Sequence, residues 1–142
     1  MNTLKEKLED GAQSFGIELD KTAEERFEIY CSLLIEWNKK INLTAITEPS
    51  EIAVKHFTDS LSIMKYAEIN SGVNIIDIGT GAGFPGIPLL IMNPDIKLTL
   101  LDSLNKRLIF LQDVLEKTGL NAEIIHSRAE EGGQNPKLRE KF

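Results

Sequence analysis

The chain has 142 residues, 42% of them hydrophobic and 27% charged, with a formal net charge of −6. These values fit one soluble globular domain with a modest core, and no stretch approaches the ~18 apolar residues of a membrane span. One cysteine, Cys31, excludes an internal disulfide framework, and with two histidines in the chain no metal-ligand spacing is recognisable.

The acidity is uneven. Residues 1–30 carry eight acids and four bases, a net of −4; residues 31–142 carry fourteen acids and twelve bases, a net of −2. The overall charge argues against a free-standing nucleic-acid binder, while the less acidic remainder is compatible with a local basic face toward a polyanion. The N-terminus, MNTLKEKLED, is charged and lacks an apolar signal core. Together with the single cysteine this predicts a cytoplasmic protein with no membrane or metal partner.

Residues 1–69 read as a helical region. Leu4, Leu8 and Ala12 recur every four residues, a pattern that Gly11 and Gly16 weaken. Thr22 followed by Glu25 matches a capping box, in which hydroxyl and carboxylate each satisfy a free N–H. Beyond it, Phe27, Tyr30, Leu34, Trp37 and Ile41 follow steps of 3, 4, 3 and 4, one apolar helix stripe. Cys31 lies beside that stripe and reads as core, since no base is placed to activate it. Pro49 and Ser50 open another helix, with Ile52, Ala53, Phe57, Leu61 and Met64 apolar.

From Val73 the period changes. VNIIDI, bounded by Gly72 and Gly79, predicts a buried strand; GIPLLIM predicts a helix ending at Asn93-Pro94. KLTLLD (97–102) predicts a second strand. NKRLIFLQDVLEKTGL predicts a second helix, with Leu108, Leu111, Leu115 and Ile109 as its apolar face and Gly119 as its stop. AEIIHS (122–127) predicts a third strand. Alternation at this spacing requires right-handed parallel crossovers, so residues 70–142 are expected to form an α/β sheet. Three parallel strands are half of a doubly wound sheet. A truncated chain is therefore expected, with strand one left open for self-association along its edge.

Between the first strand and its helix lies GTGAGFPG (79–86), and its spacing allows two readings. Gly81, Gly83 and Gly86 fit GxGxxG, the dinucleotide fingerprint; Gly79, Gly81 and Gly83 fit the tighter GxGxG of methyltransferases that use S-adenosylmethionine. A pyrophosphate needs the unpaired N–H groups of a helix start. If the helix is capped at Pro85, its four free donors belong to Pro85, Gly86, Ile87 and Pro88, and the two prolines have none. Asp77, just before the first glycine, gains little beside a pyrophosphate but suits a sulfonium with an ammonium group; it can also hydrogen-bond the loop. Asp102, closing strand two, can accept the ribose hydroxyls of an adenosine cofactor, or cap the following helix. Gly79, Gly81 and Gly83 let the backbone pass close to the ligand.

EWNKKINLTAI (36–46), KHFTDSL (55–61), IIDIGTGAGFPGIPL (75–89), TLLDSLNKRLIFL (99–111) and HSRAEE (126–131) together carry a resemblance to the RsmG (GidB) family, bacterial methyltransferases that act on a guanine N7 of small-subunit ribosomal RNA. The resemblance implies a class I methyltransferase (Rossmann-like) parallel sheet with a helical N-terminal extension. It also implies S-adenosylmethionine as cofactor, ribosomal RNA or the small ribosomal subunit as partner, and cofactor contacts at Gly79, Phe84, Ala129 and Glu130. The family continues into further strands and a further cofactor-contacting arginine, so catalytic residues are expected outside this chain and the fragment alone is expected to be inactive. The alternatives are a nicotinamide-dependent oxidoreductase half-domain, and a non-catalytic fragment that binds RNA or a partner.

His56, Asp59 and Ser60 suggest a hydrolytic triad, but three members within five residues of one helix cannot easily reach nucleophile–base–orienter geometry. His56 is instead read as an interhelical hydrogen bonder or a substrate contact. Asn38 and Asn42 either touch RNA or tie the helix down. Lys106 and Arg107, opening the helix after strand two, are candidate phosphate contacts, and Arg128 meets cofactor, substrate or Glu130. Guanine N7 carries a lone pair in its neutral form, so methylation there needs alignment and desolvation rather than a general base.

Overall fold

The computed structural model describes residues 3–44, 48–67 and 72–127. In chain order the elements are α1 (Thr3–Ser14), α2 (Lys21–Asn38), α3 (Pro49–Ile52), a π-helical segment (Ala53–Thr58), α4 (Asp59–Ala67), β1 (Asn74–Ile78), α5 (Gly86–Met92), β2 (Lys97–Asp102), α6 (Asn105–Thr118) and β3 (Glu123–His126). The three strands form one parallel sheet in the order β1-β2-β3. Ile78 lies opposite Leu101, and Leu101 opposite Ile125. This is the expected α/β arrangement. Helix α5 packs on β1 and β2, and α6 on β2 and β3, because right-handed crossovers running in one direction across a sheet place their helices on one face. The central strand is buried from Leu98 to Asp102, as a strand with neighbours on both sides must be.

The helical region does not stand apart from the sheet. Helix α2 packs on α5 and α6, and α4 packs on α5. Phe27, Tyr30, Leu34 and Phe57 therefore share one core with Ile87, Leu90, Leu100, Phe110 and Leu111. The division near residue 70 marks a change of element type, with the core continuous across it.

Three local readings are corrected, and a fourth segment holds a turn that the sequence does not signal. Helix α2 is capped by Asp20, whose carboxylate accepts from the Ala23 N–H at 2.7 Å; the helix starts at Lys21, so Thr22 is already inside it and does not cap. Gly11 does not interrupt α1. It lets that helix close on the π-helical segment, where the Thr58 side chain takes the place a Cβ would need. In α6, Phe110 and Val114 are buried and Ile109 is exposed. At 100° per residue, 108, 111 and 115 define a face that 110 and 114 extend and 109 opposes. In the third helix, the i→i+5 turn aligns Ile52, Phe57 and Leu61, all fully buried, where an α-turn would have aligned residue 56 with Ile52. His56 is thereby rotated off the core-facing side. No described helix is long and apolar enough to cross a membrane.

Candidate functional site

Beyond β1 the chain folds back through the glycine loop, where five N–H groups have protein acceptors. Gly79 and Thr80 both donate to the Leu101 carbonyl, at 2.8 and 3.1 Å, and Gly83 donates to Thr80 O at 2.9 Å. Gly81 donates to Asp102 Oδ2 at 2.8 Å. Helix α5 is capped at Pro85, so its four unpaired donors are assigned to Pro85, Gly86, Ile87 and Pro88. Two are missing because proline has no N–H. Gly86 donates to Asp77 Oδ2 at 3.0 Å and Ile87 to Gly83 O at 2.7 Å. None of the four is left for a pyrophosphate, which removes the anion-binding property of a helix start.

The two carboxylates have different surroundings. Asp77 is half-buried and accepts from Thr80 Oγ1 at 2.7 Å and from the Gly86 N–H, both on Oδ2. Among the described residues no hydrogen bond falls on Oδ1. Burial raises its pKa above 3.8; the bonds from Thr80 and Gly86 oppose that, and the neighbouring Asp102 adds to it. Asp102 is 1% exposed. Its Oδ2 holds the Gly81 N–H, and its Oδ1 accepts from the Leu104 N–H at 2.9 Å and meets Arg107 Nη1 at 3.5 Å. Asp102 therefore ties the glycine loop to the start of α6. The N-cap of α6 is Leu104, with no side-chain cap.

The glycines divide by direction. A Cβ at Gly79 would meet nothing within 4 Å, although φ there is +67°, so this turn opens away from the protein. Gly83 faces the other way: a Cβ there would lie 2.7 Å from both Ile87 Cγ1 and the Tyr30 hydroxyl and 2.9 Å from Leu111 Cδ2. The constraint on Gly83 is core packing beneath the loop.

The helical region grips this loop. Tyr30, fully buried, donates its hydroxyl to the Ala82 carbonyl. Its ring stacks on Phe57 at 5.3 Å and lies 5.6 Å from Phe84. Phe84 lies under the His56 imidazole, with centroids 4.5 Å apart and planes at 14°. Thr44 Oγ1 holds His56 Nε2 at 3.0 Å. Asn38 Oδ1 in turn accepts from the Leu43 and Thr44 N–H groups at 2.7 and 2.9 Å, so Asn38 shapes the turn after α2, while Asn42 is exposed. Ser60 Oγ donates to the His56 carbonyl at 2.7 Å, and the imidazole faces Thr44 and Phe84, which removes the triad reading. Burial lowers the His56 pKa below 6.5, with Asp59 opposing.

Of the other candidates, Lys106 is exposed and Arg107 is half-exposed beside Asp102. Ala129, Glu130 and Arg128 lie outside the described residues. The described residues contain no His, Cys, Asp or Glu cluster suited to a metal ion. An open groove of about 590 Å³ runs along the outer side of α2, lined by Ile29, Leu33 and Lys117 among others; it shares no residue with the glycine loop. Sequence reasoning missed two contributors. The apolar stripe accounts for the ring of Tyr30 but not for its hydroxyl, which needs a partner when buried. Thr44 carried no signal of its own.

The profile of the rRNA small subunit methyltransferase G family matches residues 23–140. The chain is 54% identical to the ribosomal RNA small subunit methyltransferase G of Desulforamulus reducens, over 100% of this chain and 60% of that protein. The corresponding proteins of Thermoanaerobacter sp. (strain X514) and Clostridium botulinum (strain Eklund 17B) are 54% and 58% identical, over 96% and 92% of this chain and 58% and 55% of theirs. The chain thus spans 55–60% of the length of these relatives. It belongs to the rRNA small subunit methyltransferase G family.

Proposed function

We propose that this chain forms the donor-binding part of an S-adenosylmethionine-dependent methyltransferase that modifies guanine N7 in small-subunit ribosomal RNA. The observation that carries the cofactor reading is the commitment of every helix-start donor to the protein itself. A loop of this kind suits an adenosine cofactor without phosphates. Family membership supplies the reaction class.

Asp77, Gly79, Gly81, Gly83, Phe84 and Asp102 are the proposed cofactor residues, with Ala129 and Glu130 following β3. The Oδ1 face of Asp77 suits a cationic ligand, because a positive charge there offsets the cost of burying the carboxylate. Asp102 would reach a ribose hydroxyl through Oδ1 by giving up its long contact to Arg107. Gly79 opens the turn to solvent and leaves room for a ligand, and Phe84 offers an apolar surface beside it. The cofactor supplies a methyl group already made electrophilic by the sulfonium. The chain's task is to orient it and exclude water. His56, Lys106, Arg107 and Arg128 are the proposed substrate-side residues. The outer edge of β1, where Ile78 is 50% exposed, is the proposed route of self-association, which sedimentation as a function of concentration tests.

Calorimetry tests the cofactor reading with S-adenosylhomocysteine and NAD in parallel. Binding of the first and not of the second is expected. Tight NAD binding would sink the reading.

A further inference from the structure

The imidazole of His56 lies flat on the ring of Phe84, 4.5 Å away and 14° from parallel. Two features fix it there. The π-helical turn at Ala53–Thr58 brings Phe57 into line with Ile52 and so turns His56 toward the loop. The Thr44 hydroxyl, on a turn shaped by Asn38, then holds Nε2 at 3.0 Å and stops the ring from rotating. Phe84 precedes Pro85, the cap of α5, and also packs against Tyr30 and Phe57.

We propose that His56 is a positioning residue for the methyl-donor loop: its ring holds Phe84, and through Phe84 it fixes the loop that receives the cofactor. This role rests on the cofactor reading above and is separate from the substrate-side role proposed for His56, which it neither requires nor excludes. Nε2 is engaged by Thr44 and the face of the ring by Phe84, so the contact with the loop is made by the ring face and not by a nitrogen. A flat ring at position 56 is therefore what matters, rather than a titratable one.

Amide hydrogen exchange of this chain, with and without S-adenosylhomocysteine, tests it using His56→Ala and His56→Phe. In His56→Ala, the Gly83 and Gly86 amides should exchange about three- to tenfold faster, as loss of one aromatic contact implies. Amides in the middle of α6 should be unchanged. S-adenosylhomocysteine affinity should fall by a similar factor, and His56→Phe should restore both. A purely structural role would loosen α6 and the loop together and would not be rescued selectively. A cycle with Phe84→Leu adds a second measurement: its effect on loop exchange should be non-additive with that of His56→Ala. Loop exchange unchanged in His56→Ala, no rescue by phenylalanine, or additive effects in the cycle would each overturn the proposal. Failure of the unaltered chain to bind S-adenosylhomocysteine would overturn the cofactor reading instead, and the ligand-free exchange rates would still decide the role of His56 in the loop.

Discussion

The hydroxyl of Tyr30 donates a hydrogen bond to the carbonyl of Ala82, 52 residues further along the chain. One end of this bond is in the middle of α2 and the other is inside the glycine loop, so the helical region fixes the backbone of that loop. Burial raises the Tyr30 pKa well above 10.0, with the nearby Asp77 adding to the shift. The phenol therefore stays protonated as a donor across the working range of pH.

Tyr30→Phe keeps the ring contacts and removes only that donor. It leaves a buried carbonyl without its partner, which costs about 1–3 kcal/mol. The expected result is a lower urea midpoint with an unchanged slope, and weaker S-adenosylhomocysteine binding by calorimetry. A variant as stable as the parent would mean that water or a loop shift replaces the tyrosine.

At Asp77, stability and the proposed ligand role are expected to respond to charge with opposite signs. Its pKa in the folded chain lies above the 3.8 it regains on unfolding, chiefly because of burial. Between those two values the folded form holds more protons than the unfolded one, so its contribution is favourable at low pH and is lost as pH rises through the folded value. Asp77→Asn keeps an oxygen to accept from Thr80 and Gly86 and removes the charge. It should be at least as stable as the parent at pH 7, lack that part of the pH dependence, and bind a cationic donor about tenfold more weakly. Urea titrations from pH 3 to 7 and calorimetry with S-adenosylmethionine would read the two effects separately.

His56 is expected to titrate below 6.5, since burial lowers its pKa more than Asp59 raises it. The unfolded chain then binds more protons than the folded one as pH falls below 6.5. Stability present above that pH should decline as pH drops through the folded value. The pH titration of the imidazole C–H resonance of His56 measures this. A midpoint at or above 6.5 would show that Asp59 or protonation over the Phe84 ring outweighs burial.

The alternation of strands and helices, the bounds of β2 and α5, and the shortage of N–H donors at the start of α5 are legible in the sequence because each rests on local chemistry: apolar runs, glycines and two prolines three residues apart. What the sequence conceals is how the two halves meet. Nothing around Thr44 signals that it will reach His56, and the Ile52, Phe57, Leu61 alignment depends on a π turn that an α period does not anticipate. Asp102 shows a further limit. An acid closing a second strand suggests a ribose contact, yet its oxygens are already bound to Gly81, Leu104 and Arg107, partners set by a loop trace that spacing alone does not specify.

Gly79 and Gly83 look equivalent in the motif, and their alanine variants should separate them. At Gly79 a Cβ finds open space, but φ of +67° is unfavourable for an L-residue; a cost of about 1–2 kcal/mol is expected from backbone strain alone. At Gly83 the same strain at φ +97° is joined by collisions with Ile87, the Tyr30 hydroxyl and Leu111 at 2.7 to 2.9 Å. Overpacking of this kind adds about 1–3 kcal/mol more. Gly79→Ala should therefore stay folded and lose ligand affinity, because the new methyl projects into the space on the open side of the turn. Gly83→Ala should lose stability first, with the Tyr30 contact broken. Thermal unfolding and calorimetry on both variants decide between these expectations, and equal stability losses would mean that the underside of the loop is less tightly packed than the Tyr30–Gly83–Leu111 contacts imply.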